Sequence, residues 1–157
     1  MPRTPALLLF LLAVGTSALF RPLPAQADSE GSGLSGARVR LDQLGLPPDL
    51  IGAKAVEAHL RSTLHREVRR ADWGAGVGSK ISYRFVVEQL DLREDKGVLH
   101  VTCTARGRLP KGKSAKSHIV FGGDPRERTK VVQHVLDIVA RGVITRLAEL
   151  ERTRRTP

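Results

Sequence analysis

The chain has 157 residues, 41% of them apolar, with 26 Lys and Arg against 16 Asp and Glu and a formal net charge of +10. That is the length of one small domain, apolar enough to fold around a core and too apolar for wholesale disorder. A single cysteine excludes an internal disulfide and a cysteine-built zinc site, and an aromatic content of 4% leaves few rings beyond those a core needs.

The first residues read as an address. Arg3 precedes an apolar stretch over 6–20, and a Pro-broken segment then ends in Ala25, Gln26 and Ala27, the small-x-small pattern that signal peptidases accept. The stretch falls short of the roughly 20 apolar residues of a membrane-spanning helix. A signal peptide over 1–27 is expected, with no cysteine near the cleavage region to carry a lipid, and hence an exported protein, periplasmic or extracellular. Cleavage would remove Arg3 and Arg21 and no acid, leaving 24 bases against 16 acids, so the basic character belongs to the mature domain. Gly and Ser make 28–36 a flexible leader. One domain over 37–152 and a disordered tail over 153–157 complete the expected organisation.

Over 37–44, Ala37, Val39 and Leu41 alternate with Arg38, Arg40 and Asp42, a short strand with one face covered. Pro47 and Pro48 end it, and Asp49 is positioned to cap a helix running to 71, in which Val56, Leu60, Leu64 and Val68 recur every four residues. Gly74, Gly76 and Gly78 then form a loop. It is not a phosphate loop, because Ser79 separates the last glycine from Lys80, a helix precedes and a strand follows.

Over 80–92 the apolar positions are Ile81, Tyr83, Phe85 and Val87, after which the phase slips to Leu90 and Leu92; over 97–109 they are Leu99, Val101, Cys103, Ala105 and Leu109, without a slip. A hairpin turning through Glu94, Asp95, Lys96 and Gly97 pairs Leu92 with Leu99. The slip then requires Glu88 and Gln89 to oppose Thr102 together, a β-bulge, which sets Val87 against Cys103 and Arg84 beside Arg106. A third strand over 116–122, turning through 110–115, places Phe121 beside Ala105 and His118 opposite Arg108.

Asp124, Pro125 and Glu127 are three helix-start signals together. The helix they open has a stripe of Val132, Val135, Leu136, Val139, Val143, Leu147 and Leu150, with Lys130, His134, Asp137, Arg141 and Ile144 on the polar side. About 28 residues span about 42 Å, the length of the strands, so this helix is the expected main cover of the sheet. The fold class is therefore α+β, in the order β-α-β-β-β-α: an antiparallel sheet of three to four strands with two helices packed on one face. In architecture this order resembles small α/β modules of bacterial envelope assembly factors.

No constellation for catalysis, metal or cofactor emerges. His59 and His65 stand about 240° apart around their helix and cannot share a metal. His134 and Asp137 lack a neighbouring nucleophile. Cys103 in mid-strand is expected to be buried, the alternative being a bridge to a second chain. The remaining signal is the outward face, where Arg84, Arg106 and Arg108 stand together and Lys111, Lys113 and Lys116 extend the charge. These six are the candidate contacts for an anionic partner: an envelope polymer, a lipid head group or a protein. Sequence-specific nucleic acid is not expected, because Tyr83, Phe85 and Phe121 have core parity and leave no stacking platform outside. The sequence thus points to a bacterial envelope protein that binds or assembles without catalysis. The alternative is a secreted hydrolase drawing on Ser82, His100, His118 and Asp124.

Overall fold

Alternation with period 2 becomes four strands, and period-3.6 patterning becomes two helices. The structure, a computed structural model, describes residues 37–155 apart from 51 and 77. The expected signal peptide over 1–27 and leader over 28–36 lie outside the described residues. In chain order come β1 (Arg38–Gly45), α1 (Ala53–Arg70), β2 (Lys80–Asp95), β3 (Val98–Arg108), β4 (Ser114–Gly123), a 3-10 turn (Pro125–Glu127) and α2 (Arg128–Arg155).

The strands form one sheet in the order β1-β2-β3-β4. The pairs β2 with β3 and β3 with β4 are antiparallel, as expected, whereas β1 runs parallel to β2. The sheet is mixed because α1 carries the chain back before β2 begins, and a helical crossover is what a parallel pair requires. α1 starts later than expected. The backbone first turns after Pro47, with Leu50 N–H donating to its carbonyl at 3.4 Å, so Gly52 in the left-handed region (φ 76°) precedes the helix and Asp49 does not cap it.

The bulge falls where the phase slip put it, between Val87 and Gln89, but the register differs from the expectation by two residues: Leu92 faces Val101, Val87 faces Ala105 and Arg84 faces Arg108. The cause is the turn. Lys96 and Gly97 both have positive φ, 50° and 77°, which makes a tight two-residue hairpin in place of the four-residue one. Between β3 and β4 the difference is four residues, so Phe121 faces Val101, Ile119 faces Cys103, His118 faces Thr104 and Lys116 faces Arg106. There Leu109 N–H donates to the Lys113 carbonyl at 2.8 Å, closing the turn earlier. Both shifts are even, so every side chain keeps its expected face.

Tyr83, Phe85, Val87, Val101, Cys103 and Ala105 form the buried face of the sheet. α2 lies along β3 and β4, and α1 lies against α2. The approach of α2 is close: a Cβ on Gly107 would come within 2.6 Å of both Val143 and Leu147 methyl groups. The Asp124 carboxylate accepts from Arg126 N–H at 2.8 Å, capping the turn that leads into α2.

Helix α2 continues through Arg155, so 153–155 are helical rather than a disordered tail. Ile144, placed on the polar side by the sequence, is 1% exposed. It shares a stripe with Asp137 and Arg141, and α1 covers that stripe. Leu150, expected in the core, is half-buried. Among the described residues no helix is long and apolar enough to cross a membrane.

Candidate functional site

The outward positions of the sheet form rows across the strands. One row runs Gln43, Arg84, Arg108, Ser114, and the next runs Gly45, Val86, Arg106, Lys116. Beyond them Arg38 pairs with Lys80 and Arg40 with Ser82, again side by side. One end of the open face therefore concentrates positive charge from all four strands. The loop carrying Lys111 and Lys113 borders the same end, since it joins Arg108 to Ser114.

The six sequence candidates divide into two groups. Glu88, the extra residue at the bulge, reaches both Arg106 and Lys116: Arg106 Nε donates to Oε1 at 2.6 Å, and Lys116 Nζ lies 3.3 Å from Oε2. The Arg106 hydrogen bond, helped by Lys116, holds the Glu88 carboxyl below its usual range. By contrast Arg84, Arg108, Lys111 and Lys113 have no carboxylate within ion-pair distance among the described residues. Arg84 and Arg108 are directly opposed like charges, an arrangement that works against strand pairing. They line a cleft of about 360 Å3 with Asp42, Tyr83 and Pro110. Asp42 ion-pairs instead with Arg40 at 3.8 Å.

Arg38, Arg40 and Lys80 belong to this surface and escaped the sequence reading: only the parallel pairing of β1 with β2 brings the two arginines there, whereas Lys80 opens β2 itself. Alternation had already put them on the outward parity, so the missing signal was the strand partner. Val86, Val98 and Val120, 38%, 40% and 58% exposed, are the large exposed apolar residues of the open face among the described residues. Among the described residues no Phe, Tyr or Trp ring stands on it: Tyr83 and Phe85 are buried, and half-buried Phe121 packs edge-on against His134 at 5.1 Å.

A second group of polar side chains meets between the helices. The Asp137 carboxylate accepts from Thr63 Oγ1 at 2.6 Å and pairs with His59 Nε2 at 2.9 Å, while Arg66 Nη2 lies 3.5 Å away. One turn further, buried Glu67 is approached by Arg66, Arg70 and Arg141 at 3.2 to 3.6 Å. The Thr63 hydroxyl donates to the carboxylate and not to the imidazole, so His59 is not placed as a base for it. The network ties α1 to α2. Sequence reasoning missed it because His59 and Asp137 are 78 residues apart.

The residues of the hydrolase alternative do not converge. His118 Nδ1 is hydrogen-bonded to Thr104 Oγ1 at 2.8 Å, His100 faces Gly122, Asp124 caps the turn before α2, and Ser82 lies beside Arg40 near the start of β2. Cys103 is fully buried, and burial pushes its thiol up to about 12, so it can neither reach a second chain nor ionise near neutrality. Among the described residues no three His, Cys, Asp or Glu side chains are grouped to hold a metal ion.

Neither a comparison with protein-family models nor one with curated proteins gives a match. Among solved structures, the chain is similar to a minor lipoprotein from Acinetobacter baumannii at 12% identity and a TM-score of 0.42, over 74% of this chain and 93% of that one. It is similar to a candidate lipoprotein from Caulobacter crescentus at 14% identity and a TM-score of 0.42, over 78% and 92%. PelC from Paraburkholderia phytofirmans, a dodecamer, aligns at 15% identity and a TM-score of 0.40, over 73% and 86%. Likeness at this level leaves the function to the chain's own residues.

Proposed function

We propose that this chain is an exported bacterial envelope protein that binds or assembles without catalysis, and that the basic end of its open sheet face contacts an anionic partner. The export reading rests on the amino-terminal pattern of Arg3, the apolar stretch and Ala25-Gln26-Ala27. The contact reading rests on one observation above the others: Arg84 and Arg108 oppose each other across β2 and β3, and among the described residues no carboxylate lies within ion-pair distance of either. An anion lying along that row removes the repulsion and is attracted by the neighbouring Lys111 and Lys113. A phosphate- or carboxylate-rich polymer suits the face better than a nucleic acid, which would lack aromatic platforms here.

Retention on an anionic polymer resin tests this. Wild-type protein should be held at low salt and released as salt is raised, and the Arg84→Glu, Arg108→Glu double variant should elute earlier. Equal elution of the two proteins sinks the contact face.

A further inference from the structure

Beside the open face, where the carboxyl end of α2 meets the start of β2 and the β3–β4 loop, lies a recess of about 250 Å3. We infer that this recess is a seat for one compact, multiply charged phosphoryl group. The inference rests on the anionic-partner reading and adds to it a specific pocket for one group of that partner.

Five bases converge on the recess from three parts of the chain: Lys80 from β2, Lys111 and Lys113 from the loop, and Arg154 and Arg155 from α2. The opposing charges are Glu151 and the helix terminus, which contributes about half a negative charge. A phosphomonoester carries about −1.5 to −2 at neutral pH and offers three acceptor oxygens, whereas a carboxylate brings a single charge and two. The surplus of cations matches the former.

The two arginines are also held ready. Glu151, 6% exposed, accepts from Arg154 Nε at 2.9 Å and Nη2 at 2.5 Å, and from Arg155 Nε at 2.8 Å. Arg155 Nη1 donates to Ser79 Oγ at 3.2 Å. This leaves Arg154 Nη1 and Arg155 Nη2 without a protein partner among the described residues, on guanidinium planes that are already fixed. Fixing donors before binding removes part of the ordering cost. Ile81, Leu109 and Pro110 form an apolar wall that can receive the carbon skeleton attached to the phosphoryl group.

The test is an amide NMR titration with inorganic phosphate, paired with co-sedimentation on phosphatidic acid vesicles and on phosphatidylcholine vesicles. Saturable shifts should concentrate at 79–82, 109–113 and 151–155. The Lys80→Ala, Lys113→Ala variant should bind phosphate at least tenfold more weakly with an unchanged melting temperature, since both side chains are exposed and make no ion pair among the described residues. Affinity for phosphatidic acid vesicles above that for phosphatidylcholine, lost in the same variant, supports the seat with a lipid-borne phosphoryl group. Saturable phosphate binding without vesicle preference supports it with a soluble one. Shifts that never saturate, or an unaltered affinity in the variant, overturn it. The Arg84→Glu, Arg108→Glu protein should bind phosphate within twofold of wild type, so failure of the recess and failure of the open-face contact show in different measurements.

Discussion

The two faces of the sheet are built from the same strands, residue by residue in alternation, and obey opposite rules. On the covered face Phe85 and Val101 are fully buried, and Gly107 lets α2 approach within contact distance. On the open face the next residues along, Arg84, Val86 and Arg106, meet solvent and one another. The covered face is set by volume and tolerates little change. The open face is set by charge, and at one end that charge is left unbalanced, a cost in pairing energy that a purely structural surface would avoid.

Adjacent substitutions would break this contrast most directly. Phe85→Ala should cost about 3–5 kcal/mol in urea unfolding, whereas Val86→Ala, one residue away, should stay within about 0.5 kcal/mol. Similar losses from both would mean the open face is covered in solution.

Glu151 provides the next largest effect, at the place where the covered side meets the basic recess. Its hydrogen bonds with Arg154 and then Arg155 lower its pKa from 4.5 to about 2. Between those values the folded protein binds fewer protons than the unfolded chain, so stability falls as pH drops from about 4.5 to about 2. Glu151→Gln should cost about 1–3 kcal/mol at pH 7. The gap between variant and wild type should then close as pH approaches about 2. A gap independent of pH would show that packing, not charge, is what the glutamate supplies.

The smallest effect is the most diagnostic. Arg84→Glu replaces an opposed like pair with an attractive one across β2 and β3, and should raise stability by about 0.2–1 kcal/mol while lowering retention on the anionic resin. Higher stability with weaker binding identifies a surface held in its charged form for a partner. Lower stability would show that Arg84 already has a favourable role in the folded chain.

Much of the fold was legible because it depends on local patterning. The phase slip after Val87 located the bulge, and Asp124 with Pro125 located the turn into α2. What escaped was pairing. Shifting a strand by two or four residues leaves each side chain on the same face, so hydrophobic alternation cannot choose among even registers. The choice fell to turn geometry at Lys96 and Gly97 and at the loop after Leu109, and it moved Arg84 from Arg106 to Arg108. Ile144 was misplaced for a related reason: a stripe carrying Asp137 and Arg141 looks solvent-facing until α1 is laid over it and its His59, Thr63 and Glu67 meet those charges.

By itself the sequence determined which side chains of the sheet face inward and that the chain is basic, since period and composition are properties of the chain alone. Only the tertiary structure decided which bases stand together. Arg84 and Arg108 share a row because the turn at Lys96 and Gly97 sets the register of β2 and β3, Arg38 joins them and Lys80 at that end because β1 runs parallel to β2, and Lys80, Lys113 and Arg155 share one recess because α2 ends beside the start of β2. Charges distant in sequence act on one another only through space, and the fold alone sets that distance.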